Sequence, residues 1–266
     1  MVSEIGYEGP LRLLAFDHRD VVKNAAGERA ADGKRLIYEG FLRGESGDGA
    51  GLLVDEELGG EIVRDALAGG YVVAMPVERS GTDEFEFEYG DAFGEHIAAF
   101  DPTLSKVLVR YDPDADSSAQ VVRLLELNRW LHSTGRKLLL EVLAKPEPTG
   151  DRIARSIRQL RDAGLDPDVW KVEGLDREGD CRRVVEEAHA GGREQVPVVV
   201  LGAGADAATV ERWLRVAARV PGYAGFAVGR TLWWDELRGW LDGDLGWDEA
   251  AEQIGGNYRR MLEAYG

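Results

Sequence analysis

Short apolar runs alternate with amphipathic stretches along almost the whole chain, and the alternation predicts strands and helices in turn. Residues 11–17 (LRLLAFD), 50–56 (AGLLVDE), 71–78 (YVVAMPVE) and 106–112 (KVLVRYD) read as strands. So do 137–146 (KLLLEVLAKP), 168–175 (DVWKVEGL), 197–204 (PVVVLGAG) and 223–230 (YAGFAVGR). Helical patterns fall at 31–43, 61–70, 91–100, 117–134, 151–163, 177–190 and 206–219, and further helices close the chain. In the first, Leu36, Ile37, Phe41 and Leu42 share one side. Eight strands alternating with helices imply an α/β fold with an all-parallel sheet. Eight is also the number that closes a (β/α)8 TIM barrel of about 250 residues. The chain has 266 residues, with no Pro-, Gly- or Ser-rich linker and no low-complexity run. The expectation is one barrel domain over 1–266.

One stretch breaks the rhythm. Residues 79–90 (RSGTDEFEFEYG) alternate Glu and Phe, which suggests an edge ribbon or an ordered loop. A solvated acidic loop is the favoured reading and a lid the alternative, with Arg79 set apart as a candidate contact.

Two predicted strands carry a charge inside an apolar run. Glu141 shares a face with Leu139 and Leu143, and Lys171 shares one with Val169 and Glu173. Inward-pointing opposite charges on neighbouring strands are costly unless paired or used. One reading is a Schiff-base lysine with a carboxylate as proton shuttle, because a desolvated lysine attacks ketones at neutral pH. The other is a buried ion pair that fixes the barrel register. Spacing alone leaves the two level.

Charges gather at the predicted C-terminal strand ends, where a βα barrel builds its site. Asp17, His18 and Arg19 follow the first strand, Asp55 and Glu56 the second, Glu78 and Arg79 the third. Arg110 and Asp112 end the fourth, Glu173 follows Lys171 on the sixth, and Arg230 ends the eighth. For Asp55, Glu56 and Glu78, a helix cap or a surface ion pair is favoured. Gly202 and Gly204 end the seventh strand and Gly229 precedes Arg230. These residues fit the phosphate cradle that loops seven and eight form from backbone N–H groups and a helix N-terminus. Gly202 to Ala207 also fits a dinucleotide fingerprint, but on the wrong strand and without its acidic partner.

Composition narrows the classes. Hydrophobic residues make up 44 %, enough for a substantial core, and the net charge is −17. Such a surface argues against nucleic-acid and anionic-membrane binding and leaves room for an anionic small molecule held by local cations. The single cysteine, Cys181, excludes an internal disulfide and a cysteine metal site; it reads as incidental. Of four histidines, His96, His132 and His189 fall in helical patterns and read as surface residues. A zinc site is therefore not expected, a carboxylate-held Mg²⁺ stays open, and no cofactor is called for. The first ten residues lack the basic and apolar regions of a signal peptide, and no apolar run reaches membrane-span length. A cytoplasmic protein is expected.

The segments LLAFDHR, MPVERSGTDEFEFEYG, KVLVRYDPD, DVWKVEGLD, VVVLGAGAD and GFAVGRTLWWD together resemble the DUF2090 family. That family is the aldolase domain often fused to a sugar kinase in bacterial inositol catabolism. It is similar to 2-deoxy-5-keto-gluconate 6-phosphate aldolase and, more distantly, to tagatose bisphosphate and sulfofructose phosphate aldolases. The resemblance spans the chain from about Leu11. It implies a class I aldolase, a carbon–carbon lyase, with Lys171 as the imine-forming lysine and Glu141 as the proton shuttle. It further implies that Asp17 and Arg19 contact substrate and that Gly229 and Arg230 hold phosphate. Two positions depart from the pattern. Arg79 stands where lysine is usual, and Ala203 where arginine is usual in the strand-seven loop, which weakens the implied phosphate site.

The reading that results is cleavage of a phosphorylated keto sugar acid into a triose phosphate ketone and an aldehyde. His18, Arg79, Arg110 and Glu173 join Asp17 and Arg19 as candidate substrate contacts. Arg110 and Lys106 are candidates to bias the lysine toward its neutral form by like charge, or to bind a substrate carboxylate. Lys106 ranks lower, since it would begin its strand deep in the barrel. A barrel isomerase or epimerase without a covalent intermediate, and a non-catalytic sugar-phosphate sensor, are the competing readings. The partner is a phosphorylated keto sugar or keto acid, and a homo-oligomer stays open.

Overall fold

The structure, a computed structural model, describes residues 5–266. Residues 1–4, part of the stretch read as lacking a signal peptide, lie outside the described residues. Strands β1 (Leu11–Ala15), β2 (Ala50–Leu53), β3 (Val72–Pro76), β4 (Leu104–Tyr111), β5 (Leu138–Ala144), β6 (Val169–Glu173), β7 (Val198–Leu201) and β8 (Tyr223–Val228) pair in parallel in chain order, and β8 closes on β1. Around them run α1 (Arg19–Ala26), α2 (Ala30–Gly44), α3 (Glu56–Ala68), α4 (Phe93–Phe100), α5 (Ser118–Ser133), α6 (Gly150–Asp162), α7 (Glu178–His189) and α8 (Ala207–Ala217). Helices α9 (Trp234–Asp242) and α10 (Trp247–Tyr265) close the chain. The expected (β/α)8 TIM barrel is the fold.

The two-residue period sorts each strand into an inner and an outer face. On the inside, Leu11, Leu13, Leu104, Leu139, Val169 and Val199 pack together toward the strand N-termini. On the outside, Val107, Val109, Leu138, Leu140, Trp170 and Val172 meet the helices. Burying each such side chain contributes roughly 1.5–3 kcal/mol. The apolar filling stops partway up: Ala15 and Ala227 are small and line an open cavity at the C-terminal ends. That change of side-chain size makes room for the charged residues of β4, β5 and β6.

The seam between β7 and β8 depends on one glycine. The register skips a residue there, with Val198 opposite Tyr223 and Val199 opposite Gly225. Gly225 has φ +145°, and a Cβ on it would stand 1.9 Å from the Leu11 carbonyl oxygen. No larger residue fits between the bulge and the closing strand.

Helix α1 was not expected. Its sequence, RDVVKNAA, has few apolar residues and spans only eight positions, too short for a helical period to stand out. The 79–90 segment is the ordered loop expected, with Glu84 and Glu86 exposed. Glu78 and Phe87 form an isolated antiparallel bridge, and Phe85 is buried against Phe87, which stacks on Phe93 at 4.3 Å. The loop's alternate phenylalanines anchor it, which the acidic pattern alone did not show. His132 is likewise not a free surface residue: its Nε2 lies 3.6 Å from the buried Asp168. Cys181 is buried on α7.

One buried ion pair braces the barrel rim. Lys34 on α2 donates to Asp55 Oδ2 at 2.5 Å and to the Phe16 carbonyl. Asp55 is also the N-cap of α3, accepting from Leu58 N at 2.9 Å, which bears out its favoured reading as a cap. Both side chains are fully buried. Truncating one partner leaves the other charge uncompensated, so Lys34→Ala should destabilise by roughly 3–5 kcal/mol. The double variant Lys34→Met/Asp55→Asn should recover most of that loss in chemical denaturation. Equal losses in the single and double variants would show that packing, not charge, sets the cost.

Candidate active site

Glu141 and Lys171 are direct partners across β5 and β6. Because both point inward, Lys171 Nζ donates to Glu141 Oε2 at 3.0 Å. The same oxygen lies 3.1 Å from Lys106 Nζ. Lys106 reaches this layer from β4, where its own Cα partner on β5 is Leu139, one pleat below Glu141. Its long arm lifts the ammonium to the carboxylates, so starting near the strand base does not remove it from the site. Lys106 Nζ also donates to Asp17 Oδ2 at 2.8 Å and to Glu78 Oε1 at 2.6 Å. Three carboxylates, two just past the ends of β1 and β3 and one from the middle of β5, thus converge on one ammonium.

The environment sets the protonation of each group. Burial works against charge on Lys106, but Asp17, Glu141 and Glu78 outweigh it and hold its pKa well above the usual lysine range. Burial would raise Asp17 and Glu141, yet the lysines keep both below their usual values. Glu78 goes the other way. Burial and the charge of Asp17 raise it against Lys106, and its Oε2 has no hydrogen-bond partner. It is neither a helix cap nor a surface pair, the two roles favoured for it from sequence. Lys106 and Glu78 are the site groups that sequence reasoning ranked too low.

The walls follow from the strand ends. His18 sits edge-on to Trp233, ring centroids 5.7 Å apart, with Nδ1 3.6 Å from Asp17 Oδ1. Burial pushes its pKa down to about 4 from the ordinary 6.5, with Arg230 and Lys171 adding to the effect and Asp17 opposing it. Glu173 is buried one pleat beyond Lys171 on β6. Its Oε1 accepts from Ala144 N at 3.1 Å, while its Oε2 has no hydrogen-bond partner. Burial raises its pKa to about 7, against the backbone hydrogen bonds it accepts.

Arg19 lines the cavity, but its guanidinium is committed to the loop after β3. It donates to Glu88 Oε2 at 2.8 Å and to the Glu78 carbonyl. Ser80 closes the same contact by donating to Asp20 at 2.6 Å. Arg19 thus also acts as a strap that holds Glu78 in place. Arg79 faces solvent beside Glu86 at 3.3 Å, and Arg110 donates to the Thr82 carbonyl at 2.7 Å.

All these residues, with Lys145, Gly202, Ala203, Gly204, Gly229 and Arg230, line one cavity of about 620 Å³ at the C-terminal end of the barrel. Every site residue named from the sequence falls on its wall. The loop after β7 turns through left-handed backbone at Ala203 (φ 49°) and Gly204 (φ 72°). A Cβ on Gly204 would stand 2.8 Å from Arg230 Nη2, so the guanidinium lies directly over this turn. Thr231 donates to the Ala205 carbonyl at 2.8 Å and ties the loops after β7 and β8 together. Asp206 caps α8 by accepting from Thr209 N at 3.0 Å. A carboxylate therefore already occupies that helix N-terminus, and the loop and Arg230 are what remain for an anion. Among the described residues no group of three or more His, Cys, Asp or Glu side chains is arranged to hold a metal ion, and no described helix is long and apolar enough to cross a membrane.

The family model described as "Uncharacterized protein conserved in bacteria (DUF2090)" matches residues 6–266. The crystal structure of Cgl0159 from Corynebacterium glutamicum superposes with a TM-score of 0.64 at 19 % identity, covering 97 % of this chain and 88 % of that one. That likeness extends to the fold.

The histidine gives a pH test. His18 has a folded pKa of about 4, below its ordinary 6.5, so the native state favours the neutral ring. Its contribution is present above pH 6.5 and is lost as pH falls toward 4. The stability difference between the wild type and His18→Gln should therefore shrink over that window in denaturant titrations. A difference independent of pH would mean that folding leaves the His18 pKa at its ordinary value.

Proposed function

The chain belongs to the DUF2090 family, and on that premise we propose that it is a class I aldolase that cleaves a phosphorylated keto sugar acid such as 2-deoxy-5-keto-gluconate 6-phosphate. One observation carries the reading. Of two lysines sharing one glutamate oxygen, Lys106 is bound by three carboxylates and Lys171 by one. Lys106 therefore remains a fixed cation, and Lys171 is the amine left to attack a carbonyl in the cavity.

The chemistry follows from the distances. Glu141 accepts the proton that Lys171 must lose and returns one to the carbinolamine oxygen as water departs. Lys106 keeps Glu141 oriented and partly neutralised through both states. The iminium then draws electrons from the bond between its α and β carbons, leaving an enamine on Lys171. Protonation and hydrolysis release a three-carbon ketone phosphate, and the other fragment leaves as an aldehyde.

Substrate charge fits the rim. Lys145 and Arg230 line the cavity and are exposed. Arg230 over the Gly204 turn suits a phosphate, and the β3–β5 rim, with Arg79, Arg110 and Lys145, suits a carboxylate. The alanine at position 203 leaves Arg230 as the cation of the phosphate end, so the affinity of that end rests on one side chain. Four carboxylates in the cavity also suit acid–base isomerisation without a covalent bond, and imine trapping separates that reading from the aldolase.

Two outcomes are expected. Wild-type protein incubated with dihydroxyacetone phosphate and borohydride should gain one reduced adduct at Lys171. Lys171→Met should fold, lose the adduct and lose cleavage; an adduct at Lys106 or unchanged turnover would overturn the assignment. Arg230→Ala should weaken phosphorylated substrate by roughly tenfold to a hundredfold, the range of a charge-assisted hydrogen bond, and an unphosphorylated analogue far less. Equal losses would make Arg230 a brace for its turn.

A further inference from the structure

Glu141 is placed for the proton transfers of imine formation but is poorly suited to the one that cleavage needs. Its Oε2 is held by two ammonium groups, and those lysines hold its pKa below the usual glutamate value. Cleavage requires a base for the hydroxyl on the carbon β to the imine, and a carboxylate so strongly paired is a weak one. Asp17 is engaged with Lys106 in the same way. Glu78 has a free oxygen, but its other oxygen is fixed on Lys106, away from Lys171.

Glu173 differs from all three. It lies on the same strand face as Lys171, one pleat toward the cavity mouth, roughly 6.6–6.8 Å along β6. It lines the cavity, is 5 % exposed, and has no ion pair to either lysine among the described residues. The Ala144 N–H fixes Oε1 and so sets the orientation of the carboxylate; Oε2 is buried with no hydrogen-bond partner. A substrate bound as an imine on Lys171 and running toward the mouth would pass this carboxylate, which lines the cavity wall.

From this geometry we infer that Glu173 is a second catalytic acid–base, taking the β-hydroxyl proton during carbon–carbon cleavage while Glu141 serves imine formation. The inference rests on the aldolase reading and assigns one of its steps. The O–H pair becomes the second bond of the aldehyde carbonyl, and the α–β bond pair moves into the iminium to form the enamine. Glu173, now protonated, returns that proton to the enamine α-carbon. Water then hydrolyses the iminium, so protons and electrons balance without a further reactant. A raised pKa of about 7 suits a group that must both take and give a proton near neutrality.

The experiment separates the steps. Wild type, Glu173→Gln and Glu141→Gln are compared in three assays: borohydride trapping of dihydroxyacetone phosphate, solvent-deuterium exchange into that ketone, and single-turnover cleavage of 2-deoxy-5-keto-gluconate 6-phosphate. Glu173→Gln should trap as the wild type does, yet lose about 10²–10⁴-fold in cleavage and lose exchange in parallel. Glu141→Gln should be slow already in trapping. In the wild type, cleavage and exchange should show an inflection near pH 7 that trapping lacks, a readout that needs no variant to fold. Normal cleavage by Glu173→Gln, an equal loss in all three assays, or a wild-type profile without the inflection would overturn the inference and leave the aldolase reading standing. No trapping by the wild type would overturn the aldolase reading itself and this inference with it.

Discussion

A buried ammonium has to be neutralised where it stands, and Lys106 is the charge around which this barrel is arranged. Desolvating it costs several kcal/mol. At about 3 Å and an effective dielectric constant of 20, each carboxylate contact returns on the order of 5 kcal/mol before its own desolvation is counted. One carboxylate would leave the balance close; three, contributed from β1, β3 and β5, settle it in favour of the charged form. The same contacts fix Asp17, Glu78 and Glu141 in position. With those partners spent, Lys171 keeps only a shared oxygen, and the difference between the lysines is set by the number of neighbours rather than by residue type.

The whole-chain charge of −17 looks hostile to an anionic ligand, but its distribution matters more than its sum. Screening confines exposed charges to a range of about 8–10 Å at moderate ionic strength. About half of the acidic residues sit on the outer helices, several in ion pairs such as Arg158–Glu187 and Arg43–Asp248. Around the cavity mouth, Arg79, Arg110, Lys145 and Arg230 project from four different strand ends. An anion there meets cations first. The carboxylates below it are already shared with Lys106 and Lys171, apart from Glu173.

The barrel and the Glu141–Lys171 pair were legible in the sequence because both rest on the two-residue strand period, which survives without knowledge of tertiary contacts. Lys106 was misjudged by a boundary. Starting its strand at 106 puts it at the base, whereas the strand begins at Leu104, and the length of the side chain carries the charge a layer higher. The role of Glu78 depends on where β3 ends relative to β4, a register that no single segment encodes. The burial of Phe85 in the 79–90 loop was hidden for a related reason: it depends on packing against α4 and α5, which the local pattern does not encode. The bulge at Gly225 was invisible too, since a glycine in a strand signals a bulge only once the facing strand is known.

Arg19 shows how far the site extends beyond its cavity. Besides lining the cavity, the Arg19 guanidinium binds the Glu78 carbonyl and Glu88. Glu78 in turn holds Lys106, Lys106 holds Glu141, and Glu141 holds Lys171. Each link is a charge-assisted or buried hydrogen bond, the kind that loses most when one partner is removed. The first residue of α1 is thereby connected to the amine on β6 through four side chains. This explains why a loop rich in exposed acids must be ordered: a mobile β3–α4 loop would release Glu78, and Lys106 would then compete with Lys171 for what remains of Glu141. The difference between the two lysines depends on an anchored loop as much as on the barrel beneath it.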